Sequence, residues 1–282
     1  RLIHGGLRYL EYGELDLVRE SLEERTRLLR LAPHYVRPLR LCIPVNNRLS
    51  GVLPSMLRFL KLEHWAESLV KRQSHKAAHH KTRGLWLVRM GLRMYQIYAR
   101  DPSLPPYAVH RTGHDDLPEV DAEKYPWLAA YSDGQIINTE RWVIALLHDT
   151  AAAAKKTGAQ FHVYTHHRVA PRDGGFDIVP VDIPSAAPTT ITPSLIINAT
   201  GAAGDATLGQ LNVDAPPLFA GTKGSHILTH NPRLRAALHD KGVYAEAGDA
   251  RLVFVLPFDG AVLVGTTDEP FTAPPENAVA SD

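Results

Sequence analysis

The chain has 282 residues, 44% of them hydrophobic and 22% charged, with 31 Lys and Arg against 30 Asp and Glu for a formal net charge of +1. This is an ordinary globular composition, long enough to bury a sizeable core and to hold two domains. No apolar run approaches the ~20 residues of a spanning helix, and the single cysteine, Cys42, excludes an internal disulfide and fits a reducing compartment.

The opening segment, Arg1-Leu-Ile-His-Gly-Gly-Leu-Arg-Tyr-Leu10, has the character of an active-site loop, and no Met precedes it because the only three are Met56, Met90 and Met94. The chain therefore reads as one that begins inside a longer polypeptide. Gly13 to Leu31 is expected to form an amphipathic helix with Leu15, Val18, Leu22 and Leu29 on one face, acids early and arginines late. Pro33 and Pro38 stop it, and Leu39 to Val45 reads as a short strand. Two helices are predicted next, Pro54 to Lys71 and Gly84 to Ala99, the second directed by Val88, Met94, Tyr95 and Tyr98, with polar Gln73 to Lys81 between them. From Arg37 to Arg100 thirteen cations face only Glu63 and Glu67, an asymmetry that suits an anionic partner surface.

Pro102 to Pro126 reads as irregular, rich in prolines, histidines and acids. Arg141 to Thr157 is a second clear helix, with Val143, Leu146, Leu147, Thr150 and Ala154 expected inward and Gly158 at its end. Phe161 to Tyr164 is expected as a strand, the turn Asp173-Gly174-Gly175 with Phe176 to Ile183 as a hairpin, and Leu195 to Gly201 as a buried strand ending in a glycine turn. Leu252 to Leu256 and Ala261 to Gly265 form a further hairpin around Phe258-Asp-Gly260. Elements alternate in some places and hairpins cluster in others. The pattern predicts a mixed α/β (α+β) chain, a nucleotide domain interleaved with an antiparallel-sheet substrate domain; one large α+β domain is the alternative.

Five short segments could carry chemistry. In His4-Gly5-Gly6-Leu7-Arg8-Tyr9 the glycines would let a flat ligand approach the backbone, His4 can exchange a proton near neutrality, and Arg8 offers a rigid cationic fork to phosphate. Taken by itself the segment is more often a plain glycine turn. Ile196-Ile-Asn-Ala-Thr-Gly201 is a strand-and-turn string that occurs by chance. Lys223-Gly-Ser-His226 could meet a phosphate and a hydroxyl, or form a polar hairpin edge. Val264-Gly-Thr-Thr-Asp268 reads best as structural support, a turn whose Thr and Asp satisfy backbone donors. Tyr131-Ser-Asp133 precedes Arg141 and its helix. Other classes are poorly served. His75 and His79, or His162 with His166 and His167, lack a carboxylate or cysteine to complete a metal set, so no metal is expected. No Gly-x-Ser-x-Gly elbow or phosphate loop occurs, and the basic stretch with Trp65, Trp86, Tyr95 and Tyr98 suits packing or an interfacial helix better than nucleic acid.

In this order the five segments resemble the FAD-dependent glycerol-3-phosphate dehydrogenases over almost the whole chain. The resemblance implies a fold of the FAD/NAD(P)-binding type, with residues 1–36 and 131–205 in the FAD domain, 37–130 as a substrate-domain strand plus a basic helical insertion, and 206–282 as the substrate-domain sheet. It implies oxidation of sn-glycerol 3-phosphate to dihydroxyacetone phosphate by bound FAD, with electrons passed to a quinone. On the matching positions it implies His4 and His226 as alternative proton acceptors, Arg8, Tyr9 and Lys223 as substrate ligands, and Gly5, Gly6, Thr200 and Gly201 beside the cofactor. A cytoplasmic protein, peripheral on the inner face of the membrane through its basic segment, fits such an acceptor, and a homodimer is compatible with it. The departures are the absent Gly-x-Gly-x-x-Gly, an end at Asp282 before the family's C-terminal Arg-Pro and Gly-Gly-Lys segments, Ile137-Asn-Thr-Glu140 where acids are usual, and a longer stretch from Val45 to Arg83. The fold is thus expected to be incomplete at both ends, and this chain alone is expected to be inactive and to hold no FAD. The alternatives are another FAD-dependent amine or 2-hydroxy acid oxidoreductase, or a membrane- or nucleic-acid-binding module built on the basic segment.

Overall fold

The computed structural model describes residues 2–48, 84–183, 185–218, 221–247 and 252–281. The expected helix from Pro54 and the polar stretch to Lys81 lie outside the described residues. In chain order the elements are β1 (Leu2–Ile3), a 3-10 turn (Leu7–Tyr12), α1 (Leu15–Leu31), β2 (Val36–Val45), α2 (Leu85–Ala99), β3 (Ala108–Arg111), β4 (Trp127–Ile136) and α3 (Thr139–Thr157). They continue with β5 (His167–Arg172), β6 (Gly175–Pro180), β7 (Thr189–Ile191), α4 (Gly204–Gln210), β8 (Thr222–Lys223), β9 (His226–Thr229), α5 (Pro232–Ala237), β10 (Gly242–Glu246), β11 (Leu252–Phe258), β12 (Ala261–Gly265) and β13 (Glu269–Pro270). Two compact units result: residues 1–143 with 226–266, and residues 144–225 with 267–282.

The first unit is built on an eight-stranded mixed sheet ordered β1-β4-β2-β10-β11-β12-β9, with β3 also on β4. Every pairing is antiparallel except β2 with β10. β4 pairs with β2 along ten residues, from Val36 opposite Ile136 to Val45 opposite Trp127. β1 lies against its C-terminal end, with Ile3 opposite Gly134. Pro38 is accommodated within β2 instead of ending it, at a position whose only partner strand among the described residues is β4.

The period of two along β4 sorts its side chains onto two faces. Ala129 and Tyr131 join the main core with Leu39, Leu41, Val45 and Leu256 from neighbouring strands. Helices α1 and α2 cover that face with Val18 and Leu22, and with Val88, Leu92 and Tyr95. Leu128 and Ala130 face the other way, into a small cluster with Cys42 and Leu117. A third cluster, Leu238, Val243 and Val262, lies on β10 and β12 at the end of α5. The expected irregular stretch 102–126 is mostly that, but it also supplies β3. The β11–β12 hairpin forms as predicted, turning at Asp259 and Gly260, both at positive φ.

In the second unit β5, β6 and β7 make a three-stranded antiparallel sheet, which includes the expected hairpin at Asp173-Gly174-Gly175. Two expected strands do not form: Phe161 to Tyr164 is coil, and so is Leu195 to Thr200. A strand exists only through a hydrogen-bonded neighbour, and among the described residues neither run has one. Leu195 and Ile197 are accordingly 75% and 80% exposed, not buried. Helix α3 forms where predicted, but none of its residues is buried, and Val143, Leu146 and Thr150 stand exposed instead of inward. Its apolar periodicity is real; no described element packs tightly on it.

Candidate active site

The pattern that directs apolar residues into the core also directs three polar ones there. On α1 the inward stripe runs Val18, Leu22, Arg25, and on α2 it runs Val88, Leu92, Tyr95, each at spacings of four and three. On β4, Asp133 has the same parity as Ala129 and Tyr131 and therefore faces the two helices. The Arg25 and Asp133 side chains are each 1% exposed, and a guanidinium nitrogen lies 2.7 Å from carboxylate Oδ1. The Tyr95 hydroxyl donates to the same Oδ1 at 2.5 Å and accepts from Arg25 at 3.2 Å. Arg25 also donates to the Ser132 carbonyl at 3.2 Å.

Electrostatics follow from this burial. Removal from water pushes the Asp133 carboxyl above the ordinary carboxylate value, with Arg25, Tyr95 and the Gly5 amide pulling the other way. Burial opposes the Arg25 charge as well, but Tyr95 and Asp133 outweigh it and hold the guanidinium above its ordinary value. Burial, then Asp133, pushes the Tyr95 phenol well up, so it stays a protonated donor. On the far face of β2, burial raises the Cys42 thiol to about 11.

The network ends on the His-Gly-Gly loop. Strand β1 sets Ile3 beside Gly134, which brings Gly5 to Asp133, one position back along β4. The Gly5 amide donates to the Tyr95 hydroxyl at 2.8 Å and to Asp133 Oδ1 at 3.3 Å. A Cβ at Gly5 would stand 2.2 Å from Leu22 Cδ2 and 2.3 Å from the Tyr95 hydroxyl, so glycine is required here by the helices behind the loop. Gly6 follows at φ 76° and starts the 3-10 turn. Its amide donates to His4 Nδ1 at 3.1 Å. His4 itself is exposed, and Tyr9, half-buried, has its ring 6.2 Å from the imidazole. Arg8 lies in the same 3-10 turn, but its side chain lies outside the described residues.

The other predicted residues are placed as follows. His226 belongs to the first unit, opens β9 opposite Gly265 of β12, and is exposed. The Lys-Gly-Ser-His and Gly-Thr-Thr-Asp segments are thus neighbours, and the Ser225 amide donates to Thr267 Oγ1 at 2.8 Å. Lys223, in the second unit, donates to Ser281 Oγ at 2.7 Å and to the Val279 carbonyl at 3.1 Å, with Glu269 at 3.6 Å. Thr200 Oγ1 donates to Asn198 Oδ1 at 2.7 Å and lies 2.9 Å from Thr207 Oγ1, closing a tight turn before α4. At Gly201, φ is 58° and no heavy atom lies within 4 Å of where a Cβ would be.

These observations bear on how a dinucleotide would be held. Gly201 passes the test for close approach: its open side is free and its backbone needs glycine. Gly5 does not, because Leu22 and Tyr95 already fill the space. Arg25 was not singled out in the sequence, although its signal was there: an arginine at an inward position of an apolar stripe. Asp133 was noticed only as part of a motif, while its alternation with Ala129 and Tyr131 carried the stronger message. Tyr95, grouped with residues suited to an interfacial seat, is buried instead; Trp86 is 68% exposed, and Trp65 lies outside the described residues.

Residues 1–281 match the family model for FAD dependent oxidoreductases, and the chain belongs to that family. Its mixed α/β fold and its cofactor class are those of FAD-dependent oxidoreductases. Among relatives, it is 31% identical over its whole length to a glycerol-3-phosphate dehydrogenase of Synechocystis sp., covering 47% of that protein. It is 28% identical over 98% of its length to the aerobic glycerol-3-phosphate dehydrogenase of Escherichia coli, covering 47% of it. It is also 29% identical over its whole length to a D-erythritol 1-phosphate dehydrogenase of Brucella abortus, covering 48%. The chain thus spans about half the length of the curated relatives it matches.

Proposed function

We propose that the protein oxidises sn-glycerol 3-phosphate to dihydroxyacetone phosphate and passes the electrons to a quinone. The observation that carries the reading is the His4-Gly5-Gly6 loop, held by a buried ionic network with its histidine facing outward, in a family of FAD-dependent oxidoreductases. The names of its relatives supply the substrate class, a phosphorylated polyol.

Oxidising a secondary alcohol requires a base for the hydroxyl proton and an acceptor for hydride. When bound, FAD would supply the hydride acceptor, and Gly201 is the residue whose open backbone would lie against it. Of the two histidines, His4 engages Nδ1 with the Gly6 amide, so its neutral ring carries the proton on Nε2 and acts as a donor to the substrate oxygen. His226 has no hydrogen bond to either ring nitrogen among the described residues, and proton acceptance is assigned to it. Arg8 binds the phosphate by a charge-assisted fork, with Tyr9 beside it. Lys223, in the second unit, is engaged with Ser281 and Val279.

No helix among the described residues is long and apolar enough to cross a membrane. For delivery to a quinone, α2 offers a docking surface of exposed Trp86, Met90 and Ile97 alongside Arg89 and Arg93. The test of function is turnover of the full-length flavoprotein with glycerol 3-phosphate, erythritol phosphate, malate and glycine, using a soluble quinone analogue. Reduction by glycerol 3-phosphate, with Arg8→Ala raising KM more than it weakens flavin retention, supports the reading. Preference for erythritol phosphate would move the substrate to that relative's class, and reduction by malate or glycine alone would overturn the reading.

A further inference from the structure

Three donors converge on one buried carboxylate oxygen. Asp133 Oδ1 receives Arg25, the Tyr95 hydroxyl and the Gly5 N–H, from elements separated by up to 128 positions in sequence. A buried ion pair contributes little net stability over an apolar replacement, and its best-attested use is to specify a single arrangement. Here the arrangement specified is that of the loop. With Gly5 held from behind, Gly6 adopts its left-handed conformation and turns its amide onto His4 Nδ1. In a neutral imidazole that hydrogen bond selects the tautomer with the proton on Nε2.

We propose that Asp133 and Tyr95, with Arg25, are positioning residues that fix the orientation and the tautomer of the His4 ring through the Gly5 backbone. None of the three needs to touch substrate. Tyr95 is the most informative member, because its hydroxyl both donates to Asp133 and accepts from Gly5, while its ring belongs to the core with Leu92 and Tyr131. Tyr95→Phe therefore keeps the ring packing and removes the hydroxyl that joins Gly5, Arg25 and Asp133. The role assigned to His4 in turnover rests on the function proposed above; the tautomer does not.

The experiment uses the full-length protein with 15N-labelled histidine rings, His4 being assigned by the signal lost in His4→Gln. The wild type is expected to show the Nε2–H pattern at His4 in alkaline buffer. Tyr95→Phe is expected to shift the ring nitrogens toward averaged values, with kcat for glycerol 3-phosphate falling about tenfold, because small misplacement of a reacting group is costly, and KM within about twofold. Asp133→Asn, which keeps the shape, should move the signal in the same direction. A purely structural role would lower the melting temperature of these variants and leave the His4 ring signals where they were; that result overturns the proposal, as does an Nδ1–H pattern in the wild type. If the wild type does not oxidise glycerol 3-phosphate but the ring signals shift as described, the positioning role stands and the substrate reading falls.

Discussion

Gly5→Ala is the sharpest perturbation the structure offers. A methyl group there would lie 2.2 Å from Leu22 Cδ2, 2.8 Å from Leu22 Cγ and 2.3 Å from the Tyr95 hydroxyl. The approaches to Leu22 Cδ2 and the Tyr95 hydroxyl are more than 1 Å shorter than ordinary contacts, which begin at 3.4 Å, so at least two groups must move. Leu22 is 1% exposed and has little room to rotate. Tyr95 can retreat only by loosening its bonds to Asp133, Arg25 and Gly5. Overpacking a core of this kind costs about 1–3 kcal/mol, and weakening a hydrogen bond to a buried charged group adds about 1–3 kcal/mol. With roughly 2–4 °C of melting temperature per kcal/mol for a domain of 150–250 residues, the combined cost corresponds to a loss on the order of 4–24 °C. The assay is thermal denaturation of the full-length protein with its flavin removed, compared with the flavin-bound form. The destabilisation is expected in both. A flavin-free variant melting within about 1 °C of wild type, with only flavin retention impaired, would refute the reasoning and return Gly5 to the cofactor.

Other expectations follow from the same geometry. Asp133→Ala strands a permanent cation at Arg25 and should cost about 3–5 kcal/mol, whereas Arg25→Met leaves a carboxyl that burial already pushes upward and that can take a proton; chemical denaturation should rank Arg25→Met as the milder, and the reverse order would contradict the account of the pair. Cys42, raised by burial to about 11, should resist iodoacetamide at pH 8 in the folded protein and react on unfolding. Because its folded value lies above the unfolded one, its contribution to stability is full below the ordinary thiol value and lost as pH rises through about 11; Cys42→Ala should flatten that alkaline decline. Asn231 accepts the Arg233 and Leu234 amides at 3.0 and 3.2 Å as the cap of α5, so Asn231→Ala should cost about 1 kcal/mol by denaturant titration. Flotation with anionic vesicles is expected at low salt and to weaken at high salt; equal partitioning to neutral vesicles would exclude electrostatic docking.

Much of the architecture was legible before any coordinates. The period of 3.6 placed α1, α2 and α3, and the Asp259-Gly260 turn located a hairpin, because these signals are local and each residue carries its share of them. The ordered motifs, from His4 to Asp268, were enough to recognise the family. Burial was not legible in the same way. Leu195 to Ile197 has the composition of a core strand and lies exposed, because a strand is defined by its neighbour and no residue encodes that neighbour alone. The purpose of Gly5 was equally hidden: its role depends on Leu22 one helix away and on Tyr95 ninety positions later. Sequence by itself determined which side chains lie on one stripe or one face, since periodicity is a property of the chain. Only the tertiary structure decided that the stripe ending in Arg25, the stripe ending in Tyr95 and the face holding Asp133 meet behind one loop, since that meeting is set by which elements pack together across more than a hundred residues.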